Sequence, residues 1–173
     1  MTLLLIGRII ASVLAGLALT VDAMTPDMIE KEVTISASVA EVWRCWTTAE
    51  GLSFVSAKSR VGLRVGGPYE WFLDLDPDKQ GRRGSEGSQV LAFLPEKMLA
   101  FAWTFPPDIP ELRYAGETTQ VVVLLDDAGA GRTRVRLYVH GWQDGEPWER
   151  GRKYFDSAWS YVLGAMKSHL EGP

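Results

Sequence analysis

The stretch between residues 31 and 52 constrains the fold more than any other part of this chain. Residues 31–36 read as a strand. Four apolar residues then recur at i, i+3, i+4 and i+7: Val39, Val42, Trp43 and Trp46. This spacing predicts a short helix with one apolar face, which Ser38 and Glu41 begin as a capping box. A strand followed directly by a small, tryptophan-anchored helix is typical of a fold that encloses an apolar interior.

The rest of the chain reads as strands up to about residue 141. Runs of alternating or apolar residues between turn-forming glycines and prolines predict six more strands. They are residues 58–65, 69–75, 85–94, 98–105, 118–126 and 133–140. Residues 106–110 contain three prolines, which cannot donate to a central ladder, and we expect an exposed loop there.

Alternation along residues 69–75 predicts which side chains face the interior. Tyr69, Trp71 and Leu73 fall on one face of that strand. Glu70, Asp74 and Asp76 are expected on the solvent side. The following turn contains Arg82 and Arg83, which we also expect to be solvated.

A long helix over residues 147–170 closes the chain. One aromatic-rich stripe recurs along it at helical spacing: Trp148, Phe155, Trp159, Val162, Met166 and Leu170. Pro147 suits the first turn of a helix. The predicted fold is α+β, a helix-grip in which a curved antiparallel sheet of about six or seven strands surrounds this helix.

These motifs resemble a known superfamily. The similarity is carried by residues 29–43, 46–52, 65–71, 94–103 and the closing helix. They resemble the START-like (Bet v 1-like) superfamily of hydrophobic-ligand-binding and polyketide-cyclase-related proteins. Within it the chain is most similar to the branch named for the C-terminal domain of the Hsp90 ATPase activator, which is linked to the stress response. The resemblance covers residues 29–170 and implies one helix-grip domain.

The first 23 residues require a separate interpretation. Residues 9–21 form an apolar run with Arg8 as a positive flank, a length suited to a signal peptide. Cleavage after Ala23 would make the protein exported or periplasmic. Two alternatives stay open. The hydrophobic segment could remain as an uncleaved membrane anchor, since it approaches spanning length when counted from Leu3. Met24 could also be the true start, which would favour a cytoplasmic protein.

Composition excludes several classes of function. A net charge of −4 argues against a nucleic-acid partner. One cysteine, Cys45, and two histidines are too few for a cysteine- or histidine-based metal site. The sequence contains no phosphate loop, nucleophile elbow or HExxH motif, so we expect no metal and no cofactor.

Tryptophans are the main candidates for a binding site. The sequence holds seven, and two of them, Trp142 and Trp148, lie near the place where such folds open their cavity. Aromatic walls suit a flat apolar ligand, although the same rings could simply fill the core. We expect five aromatic side chains to contact a ligand: Tyr69, Trp71, Trp103, Trp142 and Trp159.

Catalytic candidates are weaker. His140 ends the last predicted strand and, with Glu86 or Asp144, could form a proton-transfer pair at the cavity mouth. The alternative is a surface histidine at a strand end. Cys45 is expected to be a packing residue, because Arg44 alone is weak support for a reactive thiolate.

Three functions follow from the residues and the resemblance. The leading hypothesis is a protein that binds a small hydrophobic ligand between the last helix and the sheet, with no catalysis required. The second is a cyclase- or hydrolase-like enzyme that uses His140, Tyr69 and Glu86 in the same cavity. The third is a chaperone-interacting module. Assembly into a homodimer is a further alternative. A membrane contact is expected only if the N-terminal segment stays uncleaved.

Overall fold

The computed structural model describes residues 28–79, 81 and 83–172. The signal peptide or hydrophobic segment predicted for residues 1–23 lies outside these residues. The described chain contains seven strands and three α-helices. In chain order they are β1 (Ile29–Ile35), α1 (Val39–Thr47), β2 (Lys58–Val61), β3 (Tyr69–Phe72), β4 (Val90–Leu94), β5 (Met98–Thr104), α2 (Pro110–Tyr114), β6 (Thr118–Asp127), β7 (Thr133–His140) and α3 (Glu146–Glu171).

The strands form two antiparallel sheets. Five of them make one sheet in the order β1-β7-β6-β5-β4, and β2 pairs with β3 in the other. The α+β helix-grip prediction is confirmed, but its strands do not form one continuous sheet. An isolated bridge between Pro68 and Gln89 joins the two sheets. At this bridge the Tyr69 N–H donates to the Ser88 carbonyl and the Val90 N–H donates to the Gly67 carbonyl. The Pro68 carbonyl points the other way and accepts the Gly62 N–H at 2.8 Å.

Helix α1 begins as the capping box predicts. Ser38 Oγ accepts a hydrogen bond from the Glu41 backbone N–H, and the Glu41 carboxylate accepts one from the Ser38 N–H at 2.8 Å. Val42, Cys45 and Trp46 are buried on its apolar face. This helix therefore closes one end of the sheet with a fully buried tryptophan.

Helix α3 packs across the inner face of the five-stranded sheet. Its predicted stripe is buried from Trp148 to Met166, and Leu170 is partly buried. Along one side it is joined to β1, where Lys31 pairs with Asp156 at 2.7 Å and Lys167 Nζ donates to the Thr34 carbonyl. On its other side the helix faces β3 and β5, and part of the space between them is a cavity. None of the described helices has the length and apolar character needed to cross a bilayer.

Strand β3 differs from its prediction in length and burial. It ends at Phe72, because the backbone N–H groups of Leu73 and Asp74 both donate to the Arg83 carbonyl. Leu73 is therefore 55% exposed rather than buried. The prediction that Glu70 faces solvent is wrong: this side chain is 7% exposed and pairs with Arg60.

Three other segments are corrected. Residues 58–65 and 85–94 were expected to be full strands, but ladders form only over β2 and β4, because glycine-rich turns occupy the remainder. The expected exposed loop at residues 106–110 holds a buried Ile109 and leads into α2. Pro110 starts that helix, where its missing N–H costs nothing.

Candidate functional site

A cavity of about 700 Å³ lies between the middle of α3 and the ends of β3 and β5. The loop after β5 and residues 83–85 complete its wall. Most of its lining is apolar and includes Trp71, Trp103, Phe155, Ala158, Trp159 and Val162.

Beside this cavity the interior is filled by aromatic rings. Six side chains form one cluster with neighbouring ring centroids 4.4–6.5 Å apart: Trp46, Tyr69, Trp71, Phe101, Trp103 and Trp159. Offset and edge-to-face contacts of this kind stabilise a core beyond the area they bury. Trp71, Trp103 and Trp159 belong both to this cluster and to the cavity lining, so the cluster forms the floor of the cavity.

Two of the five predicted ligand residues lie away from the cavity. Tyr69 is fully buried, and its hydroxyl donates to the Trp46 carbonyl at 2.7 Å. Burial raises the pKa of Tyr69 well above its usual value of 10.0. Trp142 packs against Phe105 and Phe155, and its indole N–H donates to the Val139 carbonyl. Both side chains therefore hold the structure together and are not part of the cavity lining.

His140 does not reach the cavity. Along β7 the buried side chains alternate through Val135, Leu137 and Val139, so His140 lies on the other, outer face of the sheet. It pairs across the ladder with exposed Gln120. Its predicted partner Glu86 forms an ion pair with Arg113 instead. Asp144, the other predicted partner, is exposed and is not part of the cavity lining.

The loop wall of the cavity is held by Glu86 and Arg113. The Glu86 carboxylate accepts hydrogen bonds from the backbone N–H groups of Arg83 and Gly84 at 2.7 and 2.9 Å. It also pairs with Arg113 Nη2 at 2.7 Å. The Arg113 guanidinium donates in addition to the carbonyls of Gly81, Gly84 and Phe105. One buried ion pair thus joins the loop to the end of β5 and to α2.

The same loop contacts Trp71 through its backbone. A Cβ built on Gly84 would lie 1.9 Å from the Trp71 carbonyl oxygen, so only glycine fits there. The Ser85 hydroxyl accepts the Trp71 N–H at 2.8 Å. Glu86 was predicted only as an acid–base group, and its role in holding the loop was missed. Arg113 was missed altogether, because its partners are distant in sequence.

The expectation that the turn with Arg82 and Arg83 is fully solvated is wrong for Arg83. Its side chain is 28% exposed, and its guanidinium carbon lies 5.3 Å from the centroid of the Phe72 ring. It lines the apolar cavity and also a second, polar cavity of about 580 Å³. Arg82 lies outside the described residues.

Two carboxylates also line the apolar cavity. Asp74 pairs with Lys79 Nζ at 2.6 Å. Asp108 lies on the loop after β5 near Tyr154, and the pKa of that phenol is raised by burial and by the Asp108 charge. The apolar wall is therefore bordered by charged groups of both signs.

The Cys45 thiol is buried. Burial raises the pKa of the Cys45 thiol above its usual 9.0, despite the nearby Arg44, so this side chain acts in packing. In the part of the chain that the structure describes, no three His, Cys, Asp or Glu side chains gather to hold a metal ion.

Solved structures of low sequence identity share this fold. A Mesorhizobium loti protein aligns with a TM-score of 0.64 and 20% identity over 83% of this chain and 96% of its own. An Arthrobacter aurescens protein aligns with a TM-score of 0.63 and 17% identity over 84% and 87%. The Aha1 dimer from Colwellia psychrerythraea, solved in solution, aligns with a TM-score of 0.60 and 19% identity over 83% and 96%.

The sequence matches none of the curated proteins with which it was compared. A family profile, however, matches residues 36–171, which is most of the chain: Activator of Hsp90 ATPase homolog 1-like protein. The predicted START-like resemblance is thereby confirmed, and the fold is in general that of ligand-binding or chaperone-associated domains. The chain belongs to the family of Activator of Hsp90 ATPase homolog 1-like proteins.

Proposed function

We propose that this protein binds a small hydrophobic or aromatic ligand in the cavity between α3 and the sheet. The cavity itself supports this proposal. Its volume of about 700 Å³ falls within the range of small-molecule sites, and its lining is largely apolar with six aromatic side chains. The floor of the cavity is already packed with rings, so the remaining space is not needed by the core.

An enzymatic function has less support in the geometry. Its three named groups do not meet: His140 is on the outer face, Tyr69 is buried against Trp46, and Glu86 is paired with Arg113. A chaperone-associated role draws support from the family description alone. It predicts that the chain captures Hsp90 in a pull-down, whereas ligand binding predicts a saturable small-molecule site.

The test is a titration of the purified full-length chain with N-phenyl-1-naphthylamine, a neutral probe that fluoresces in apolar surroundings. We expect a saturable rise in fluorescence with one probe per chain. The variant Ala158→Trp puts an indole into the lined space and should weaken binding by about tenfold or more.

Ser160→Trp is the matched control. Ser160 lies two residues further along α3, is exposed and is not part of the cavity lining. The Ser160→Trp variant adds the same ring to the same helix and should leave the affinity for the probe unchanged. Absence of saturable binding, or equal binding by both variants, would overturn the proposal.

A homodimer remains a proposal as well. Its support is that one structural neighbour, the Colwellia psychrerythraea chain, was solved as a dimer. Sedimentation velocity over a range of concentrations tests it, and a single monomeric species throughout would contradict it.

A further inference from the structure

We infer that the natural ligand is an anionic amphiphile, with its apolar body in the cavity and its acidic group on Arg83. This inference rests on the proposed function and specifies its ligand class. Arg83 is the observation behind it, because this cation lies where the apolar cavity meets the polar one.

The donors of the Arg83 side chain are available. Its Nε is buried and makes no hydrogen bond. The nearest carboxylate oxygen, on Glu86, is 3.9 Å from that nitrogen, beyond hydrogen-bond distance. No hydrogen bond joins the guanidinium to a described residue, although a buried N–H such as that on Nε ordinarily finds an acceptor. An acidic group of a ligand would supply one.

The backbone around Arg83 is already held in position. The Arg83 N–H donates to Glu86, and the Arg83 carbonyl accepts from Leu73 and Asp74 at 2.8 and 2.9 Å. Phe72 supports the guanidinium from one side. A preorganised cation of this kind binds an anion without first ordering its own loop.

The polar cavity has a surplus of positive charge. Its lining contains three cations, Lys58, Arg60 and Arg83, and two carboxylates, Glu70 and Glu86. Each carboxylate is neutralised by a dedicated arginine. Arg60 pairs with Glu70 at 2.6 Å, and Arg113, from outside the lining, pairs with Glu86 at 2.7 Å.

Two cations are consequently left over. Lys58 makes no ion pair with any described residue, and Arg83 makes only the distant contact with Glu86. In the apolar cavity, Asp74 is neutralised by Lys79, while Asp108 lies beside Tyr154 on the loop after β5. At the junction itself, Arg83 is thus a cation with no carboxylate oxygen within hydrogen-bond distance.

Two fluorescent probes of nearly identical shape test this assignment on the full-length chain. One is neutral N-phenyl-1-naphthylamine, and the other is 8-anilinonaphthalene-1-sulfonate, the same ring system with a sulfonate. We expect the sulfonate probe to bind more tightly. In Arg83→Gln its affinity relative to the neutral probe should fall about tenfold, the value of a charge-assisted hydrogen bond.

Lys58→Gln is the charge-matched control. It removes the same charge from the polar cavity without touching the apolar wall, and should change the affinity ratio by less than about twofold. Arg83→Lys should recover part of the loss, because it restores the charge but not the fork of donors. Circular dichroism and thermal unfolding establish that each variant is folded.

The outcomes separate the two proposals. If the neutral probe binds and Arg83→Gln changes both affinities equally, the anion assignment is overturned and the hydrophobic site stands. If Lys58→Gln matches Arg83→Gln, the preference is a diffuse charge effect, which also overturns the assignment to Arg83. If neither probe saturates, the proposed function fails together with this inference.

Discussion

Arg113 Nη2 and Glu86 Oε2 lie 2.7 Å apart, and only 6% and 18% of their side chains are exposed. This pair joins α2 to the loop that forms one wall of the cavity. The two residues are 27 positions apart in the chain. Their contact therefore depends on the fold as a whole.

Removing the charge of Glu86 should weaken the fold more than removing an exposed one. Glu86→Gln loses the ion pair and weakens two backbone hydrogen bonds, which lowers the free energy of unfolding by about 1–2 kcal/mol. Urea denaturation measures this change. Glu111→Gln is the control, since Glu111 pairs with Arg150 at the exposed surface and such pairs contribute little. Equal midpoints for the two variants would contradict the prediction.

The contribution of Glu86 should depend on pH. Burial raises the pKa of this carboxyl, but hydrogen bonds from the Arg83 and Gly84 backbone and from Arg113 outweigh it and bring the pKa below its usual 4.5. A carboxylate with a lowered pKa stabilises the fold above its unfolded pKa and loses that effect as pH falls through the folded value. The stability difference between wild type and Glu86→Gln should thus be largest near neutral pH and shrink below about pH 4.5. A difference that stays constant from neutral to acidic pH would show that Glu86 acts without its charge.

Two glycines of α3 should respond in opposite directions to alanine. A Cβ on Gly151 would lie 2.5 Å from Phe105 Cε1, so Gly151→Ala forces that buried ring to shift and should cost about 1–3 kcal/mol. A Cβ on Gly164 would meet nothing within 4 Å. Gly164→Ala should stabilise by about 0.5–1 kcal/mol through helix propensity. Thermal unfolding of the two variants checks the sign, and a stabilised Gly151→Ala would disprove the close contact with Phe105.

Loss of the Tyr69 hydroxyl should be modestly destabilising. Tyr69→Phe keeps the ring in the aromatic cluster but removes the 2.7 Å hydrogen bond to the Trp46 carbonyl. We expect a loss of about 1 kcal/mol in the free energy of unfolding. Probe binding should be retained, because Tyr69 is not part of the cavity lining. A variant that is fully stable but no longer binds the probe would assign Tyr69 to the site instead.

Local patterns were sufficient for most of the fold. The capping box of α1 and the aromatic stripe of α3 depend on residues three to seven positions apart, and both form as predicted. The resemblance to the family was equally readable, since it is carried by packing residues of contiguous segments. The predicted ends of the strands were less accurate. Leu73 is exposed because β3 ends at Phe72, whereas Glu70 is buried because Arg60 and the Gly87 N–H bind its carboxylate.

The candidate site depended on contacts that no local pattern contains. Periodicity identified Trp71, Trp103 and Trp159 as inward-facing, which follows from backbone geometry alone. It could not separate them from Tyr69 and Trp142, since filling the core and lining a cavity require the same inward direction. That distinction arises where α3 meets the sheet. The availability of Arg83 likewise follows from Arg113 satisfying Glu86, a contact that forms only when distant parts of the chain fold together.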